Sequence, residues 1–215
     1  MLVQNPSVAE IPDIIALALA ARNFVDRIYL HWTAGHYGQA YDEYHFNIDK
    51  DGTVYQTCRD LLERKPHTWR RNRHSIGIAL DCGCGASVSV PLGSCETMLC
   101  GVRAGSRQRP LLAAEIDYGE EGPTVLQVES AARLVALLCQ GLALAPVPEQ
   151  VMTHAEAAIA DGYGPCSGEG EMRWDLWFLP DLPLTGILLP GGEVLRGKAA
   201  WYIHALEKAA WKNAA

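Results

Sequence analysis

The chain has 215 residues, 49% apolar and 20% charged, with seven cysteines and a formal net charge of −7. That length supports one domain with a full core, and that composition excludes a disordered chain. A pI near 5.5 argues against nucleic acid as the partner, since a phosphate backbone calls for a basic face.

Residues 11–21 form an apolar run too short to span a bilayer. No basic segment precedes it and it carries Pro12 and Asp13, so it reads as a packed helix rather than a secretory signal. The chain is therefore expected to be cytoplasmic as synthesised, with no membrane insertion. Arg27 to Leu30 is a short apolar run that ends on His31-Trp32-Thr33. Taken alone, His31 reads as a core histidine with satisfied ring nitrogens.

Tyr44 to Asp49 alternates, Lys50-Asp51-Gly52 supplies a turn, and Thr53 to Thr57 alternates again, which predicts a β-hairpin. Arg64 to His74 is strongly basic and suits either a small anionic substrate or a solvated loop. Ser75 to Leu80 reads as a strand buried on both faces.

Residues 83–122 show no sustained period and predict a long loop or insertion. Cys82, Cys84, Cys95 and Cys100 cluster around it. Their spacing fits no zinc module, and an odd total rules out a complete disulfide framework within one chain.

Thr124 with Gln127 makes a capping box, and Val125, Val128, Ala132, Val135, Leu138 and Leu142 recur at helical spacing, predicting a long amphipathic helix. Val147 to Thr153 returns to strand and ends on His154. The prolines and glycines of 180–192 predict the end of the compact body. A last helix over about 198–212 offers Trp201, Ile203, Leu206, Ala210 and Trp211 as an apolar stripe.

Two strands thus end on a histidine, and ligands of open α/β sheets gather where strands end. Zinc takes imidazole nitrogen and carboxylate oxygen, and a catalytic zinc keeps three protein ligands. The polar segment after His154 offers Asp161, Glu169, Glu171 and Asp175 as the third.

His31-Trp32-Thr33-Ala34, Tyr44-His45-Phe46, Lys50-Asp51-Gly52-Thr53-Val54, His67-Thr68, Ser75-Ile76-Gly77-Ile78, Thr153-His154-Ala155-Glu156 and Arg173-Trp174-Asp175 follow the order seen in the type 2 zinc-dependent N-acetylmuramoyl-L-alanine amidases. This group includes peptidoglycan recognition proteins and phage amidase lysozymes. The resemblance spans about residues 27–180 of an expected single catalytic domain, leaving the insertion and a helical tail from about 185 outside it. It implies an α/β fold, a central mixed sheet of five or six strands flanked by helices, with zinc in an open cleft.

The resemblance further implies His31, His154 and Asp175 as zinc ligands, with Cys166 as competitor for the third place because thiolate also binds zinc. It makes Tyr44 and Arg173 the catalytic pair. His67 becomes a cleft histidine beside Trp69 and Arg70 at the substrate, and Glu156 a carboxylate that fixes a ligand histidine's tautomer or else starts a helix. His36, His45, His74 and His204 are expected to be structural or solvent-facing.

The implied activity is cleavage between N-acetylmuramic acid and L-alanine of peptidoglycan, as a phage or prophage endolysin. Muropeptide recycling, an injected effector and a binding-only recognition module are the alternatives. The last is distinguished by loss of the third ligand.

Overall fold

The computed structural model describes residues 1–90, 115–165, 167, 172–180 and 188–214. β1 (Ser7–Val8) leads into α1 (Ile11–Ala21), then β2 (Arg27–Trp32), β3 (Phe46–Ile48), β4 (Val54–Gln56) and β5 (Ser75–Leu80). A separate ribbon of β6 (Ser87–Ser89) and β7 (Glu115–Asp117) follows, then α2 (Val125–Leu142), β8 (Val151–Thr153) and α3 (His154–Asp161). A second ribbon, β9 (Phe178–Pro180) and β10 (Leu188–Pro190), precedes α4 (Gly191–Ala214).

The main sheet has six strands in the order β1-β4-β3-β5-β2-β8. β3, β5, β2 and β8 run parallel, while β4 and β1 are antiparallel at one edge. This is the expected mixed α/β sheet, flanked by helices. The hairpin closes as predicted, shortened to three residues a side, with Gly52 at φ 85° donating its N–H to Asp49 O at 2.8 Å.

Strand alternation sorts the side chains. Ile28, Leu30 and Trp32 of β2, with Phe46, Ile48, Ile76, Ile78 and Leu80, join the apolar core that α1 and α2 cover. Tyr29 and His31, Gly77 and Ala79, and His45 and Asn47 therefore point to the other face, where the polar groups gather. All six residues of β5 are buried, as the apolar run predicts.

α2 begins at the predicted capping box: Thr124 Oγ1 accepts from Gln127 N at 3.0 Å, and Gln127 Oε1 accepts from Thr124 N at 3.0 Å. Gln127 also donates to Ile48 O and Asp81 O, which fixes the helix to the ends of β3 and β5. A Cβ on Gly141 would stand 2.3 Å from Ala18 Cβ, so any larger residue there would force α1 and α2 apart. α2 is long and apolar enough to cross a membrane, yet 67% of it is buried, which marks the core helix of this sheet.

Two expectations are corrected. β8 starts at Val151 rather than Val147, because Gln150 N and Val151 N both turn back to Val147 O, although Gln150 O already accepts from Ile28 N of β2 at 2.8 Å. The last helix packs on the body: Leu195 and Ala199 of α4 are buried, and Lys198 and Tyr202 reach Glu129 on α2. The proposed α4 stripe is rotated, since Tyr202, Ile203 and Leu206 pack on the core while Trp201 is 65% exposed. Cys95, Cys100 and most of the 83–122 insertion lie outside the described residues, and only its ends are seen, as the β6–β7 ribbon.

Candidate metal centre

Register brings the two histidines together. β2 and β8 are parallel neighbours with Leu30 opposite Thr153, so His31 and His154, each one residue further, leave the same end of adjacent strands. Thr153 caps α3 with its hydroxyl on Glu156 N, turning the chain into a helix with His154 in its first turn. After α3 the chain reverses at Gly162, φ 80°, and returns so that Ala155 N donates to Asp175 O at 3.3 Å. Asp175 thereby reaches both rings.

His31 Nδ1 and His154 Nδ1 are 3.1 Å apart, His154 Nδ1 and Asp175 Oδ2 3.1 Å, and His31 Nδ1 and Asp175 Oδ2 3.5 Å. Ligands about 2.0 Å from a tetrahedral zinc lie roughly 3.3 Å from one another. Three donor atoms at the corners of such a face fit a metal ion, and the donor set, two imidazoles and a carboxylate, is one that zinc accepts. All three sequence-predicted ligands meet here. Cys166 lies outside the described residues.

The electrostatics suit the same role. Burial pushes His31 down to about 4, with the nearby His154 adding to the effect and the Asp175 hydrogen bond only partly offsetting it, so its lone pair is free at neutral pH. Burial alone would raise Asp175, but the charge and hydrogen bonds of His154 and His31 hold its carboxyl well below the usual range. A neutral imidazole and an ionised carboxylate are the forms that bind metal.

Behind His31 runs a relay that the sequence did not disclose. His31 Nε2 is 3.2 Å from Thr68 Oγ1, which is 2.9 Å from His67 Nδ1, and His67 Nε2 is 3.4 Å from Ser75 Oγ. With Nδ1 committed to the centre, His31 Nε2–H donates to Thr68, whose hydroxyl donates to His67. His67, expected at the substrate, is placed by the structure beneath His31, where it supports that ring through Thr68. It is 6% exposed, seats its ring against Gly77, and burial pushes it down to about 2.

Glu156 does not touch a ligand ring. Its Oε2 accepts from Thr153 N at 2.9 Å, and Arg196 of α4 grips both carboxylate oxygens at 2.7 and 2.8 Å. The helix-start reading holds. The pair of Thr153 and Glu156, three residues apart, is itself a capping-box signature that the sequence offered.

The basic stretch divides by role. Lys65, 4% exposed, donates to Asp42 Oδ1, Asp42 O and Thr57 O, and Arg71 clamps Asp161 at 2.6 and 2.7 Å. Arg70 stays exposed and stacks 4.0 Å over Trp69, which is 53% exposed. Trp69 meets Tyr163 edge-on at 5.3 Å between ring centroids, and Tyr163 meets His154 at 6.1 Å. An aromatic row thus leads from the metal centre to an exposed cation.

The Tyr44 ring lies 5.1 Å from that of His31, and burial, with Asp175 next in effect, pushes its hydroxyl far above the usual value. Arg173 is exposed on the segment that delivers Asp175, and its charge reaches Tyr44. His45 is structural as expected: its Nε2–H donates to Glu63 O and its Nδ1 accepts from Gly77 N.

A mixed α/β sheet with two histidines and an aspartate converging at the ends of its parallel strands defines a candidate metal-dependent enzyme. The N-acetylmuramoyl-L-alanine amidase family model matches residues 21–169, and the chain belongs to that family. The matched span contains His31, Tyr44 and His154 and ends before Arg173 and Asp175. No curated protein matches the chain significantly.

Proposed function

We propose that this protein hydrolyses the amide between the lactyl group of N-acetylmuramic acid and L-alanine in peptidoglycan, using zinc held by His31 Nδ1, His154 Nδ1 and Asp175 Oδ2. The observation that carries this reading is the 3.1–3.5 Å spacing of those three atoms. Bound there, zinc would polarise the scissile carbonyl and lower the pKa of a water to roughly 7. The chain's own groups do the rest.

Asp175 contributes the one negative charge among the three ligands, and the two imidazoles hold its position. The Tyr44 hydroxyl donates a hydrogen bond to the developing oxyanion or the leaving nitrogen. Arg173 offers a permanent cation to the oxyanion, and a guanidinium supplies charge rather than a proton. Trp69 gives an apolar platform, and Arg70 meets the carboxylates of the stem peptide.

Degradation of the wall by an endolysin-type enzyme is the setting we carry forward. Retention of Asp175 beside both histidines favours catalysis over a binding-only recognition module. Digestion of purified peptidoglycan tests both points. Release of peptides with a new N-terminal alanine, abolished by chelation and restored by zinc, is expected. Wall binding without release would support the recognition module, and turnover confined to soluble muropeptides would assign the chain to recycling.

A further inference from the structure

A second constellation stands at the same end of the sheet. Past their last residues, β2 and β5 make one more parallel bridge, Gly35 to Gly83, which sets His36 beside Cys84, each one residue further. Gly83 and Gly85 adopt φ 90° and 76°, a left-handed conformation that glycine takes without penalty. Cys84 is therefore presented at the apex of a sharp turn.

Its Sγ lies 3.5 Å from His36 Nε2, and His36 Nδ1 lies 3.0 Å from Glu121 Oε2. Glu121 is itself anchored: Oε2 accepts from Tyr37 N at 3.2 Å, and its backbone carbonyl accepts from Gly83 N at 2.7 Å. Thiol, base and orienting carboxylate stand in line, which is the arrangement that activates a nucleophile.

Cys84 is half-buried and His36 exposed, whereas the other described cysteines, Cys58, Cys82 and Cys139, are all buried. Burial pushes the thiols of Cys58 and Cys139 up to about 12, so they are inert.

We propose that Cys84, with His36 as its base and Glu121 orienting that base, is a reactive thiol that exchanges with small disulfides. The Sγ proton passes to His36 Nε2 as sulfur attacks one sulfur of R–S–S–R′. The S–S bond of that molecule breaks, a Cys84–S–S–R bond forms, and R′–S⁻ leaves and takes the proton from His36. Cys84 is oxidised and the disulfide reduced, with no further electron carrier.

The same three residues also cluster closely enough to suggest a metal site. The geometry decides against it, because thiol and carboxylate approach opposite nitrogens of the ring. An ion held by Sγ and Nε2 would leave Glu121 on Nδ1 and have only two protein ligands, fewer than zinc sites use.

The test is the reaction of the full chain with dipyridyl disulfide, followed cysteine by cysteine by peptide mass spectrometry, with peptidoglycan hydrolysis reporting that each variant is folded. Cys84 is expected to react at least about tenfold faster in the native chain than in His36→Gln, with Glu121→Gln between the two. Equal rates in the native chain and in both variants would overturn the proposal. So would a Cys84 that reacts only after a chelator is added, since the cluster would then be a metal centre.

Discussion

Thr68 holds its hydroxyl 3.2 Å from His31 Nε2, on the side of the ring away from Asp175. This bond sets the tautomer that leaves Nδ1 free for metal. Thr68→Val keeps the shape and removes the acceptor, so zinc affinity should fall about 10- to 100-fold. Competition with a chromophoric chelator measures it, and an unchanged affinity would show that the relay through His67 is packing alone.

Replacing His31, His154 or Asp175 by Ala should remove zinc and hydrolysis together. If only the folded chain binds the ion, zinc at a hundred times its Kd should stabilise the native protein by about 2.7 kcal/mol. Thermal unfolding with and without zinc should show that gain in the native chain and none in Asp175→Ala. A full gain in the variant would remove Asp175 from the centre.

Arg173→Ala should retain zinc and its thermal gain while kcat falls about 10²- to 10³-fold, the range for losing one group that stabilises an oxyanion. Arg173→Lys should recover much of it, because the charge returns. A changed KM with an unchanged kcat would instead place Arg173 in ground-state binding.

Arg196 joins α4 to the helix that begins at His154. It donates to Val151 O as well as to both oxygens of Glu156, and is 8% exposed. Arg196→Ala removes the counter-charge of a partly buried carboxylate and the donor to Val151 O, and should cost about 2–3 kcal/mol. Urea unfolding reads the loss, and a change below about 0.5 kcal/mol would mean α4 is held by its apolar packing and its Glu129 contacts without help from Arg196.

Asp81 is fully buried at the end of β5, and neither carboxylate oxygen has a partner among the described residues. Burial, then the charge of Asp49, raises it from 3.8 to about 8. Between those values the unfolded chain releases a proton that the folded chain keeps. Stability therefore falls as pH rises through that window, by up to about 1.4 kcal/mol per pH unit, and levels off above it. Asp81→Asn should flatten the slope, so its stability relative to the native chain improves from pH 4 to pH 8. A constant difference across that range would contradict the buried acid.

Local patterns made much of this legible. The capping box at Thr124, the Asp-Gly turn and the alternation of β3 and β4 are short-range signals, and each formed where the residues indicated. The meeting of His31 with His154 and Asp175 depends on strand register and a chain reversal, which no local pattern encodes, and the ordered motifs of the amidase resemblance supplied it. What local pattern left open are partners chosen by tertiary contact: Glu156 turned to Arg196, forty residues away, and His67 lies beneath His31, where Gly77 leaves room for its ring. Thr68 stood in the sequence only as part of the His67-Thr68 motif, because the partner of a hydroxyl is set by tertiary contact and not by local pattern.

Metal analysis of the purified chain, with X-ray absorption at the zinc edge, decides whether His31, His154 and Asp175 hold zinc. One zinc per chain, with nitrogen and oxygen neighbours at about 2.0 Å, is the predicted result. Absence of zinc would contradict the centre itself, and a sulfur neighbour at about 2.3 Å would give Asp175's place to a cysteine.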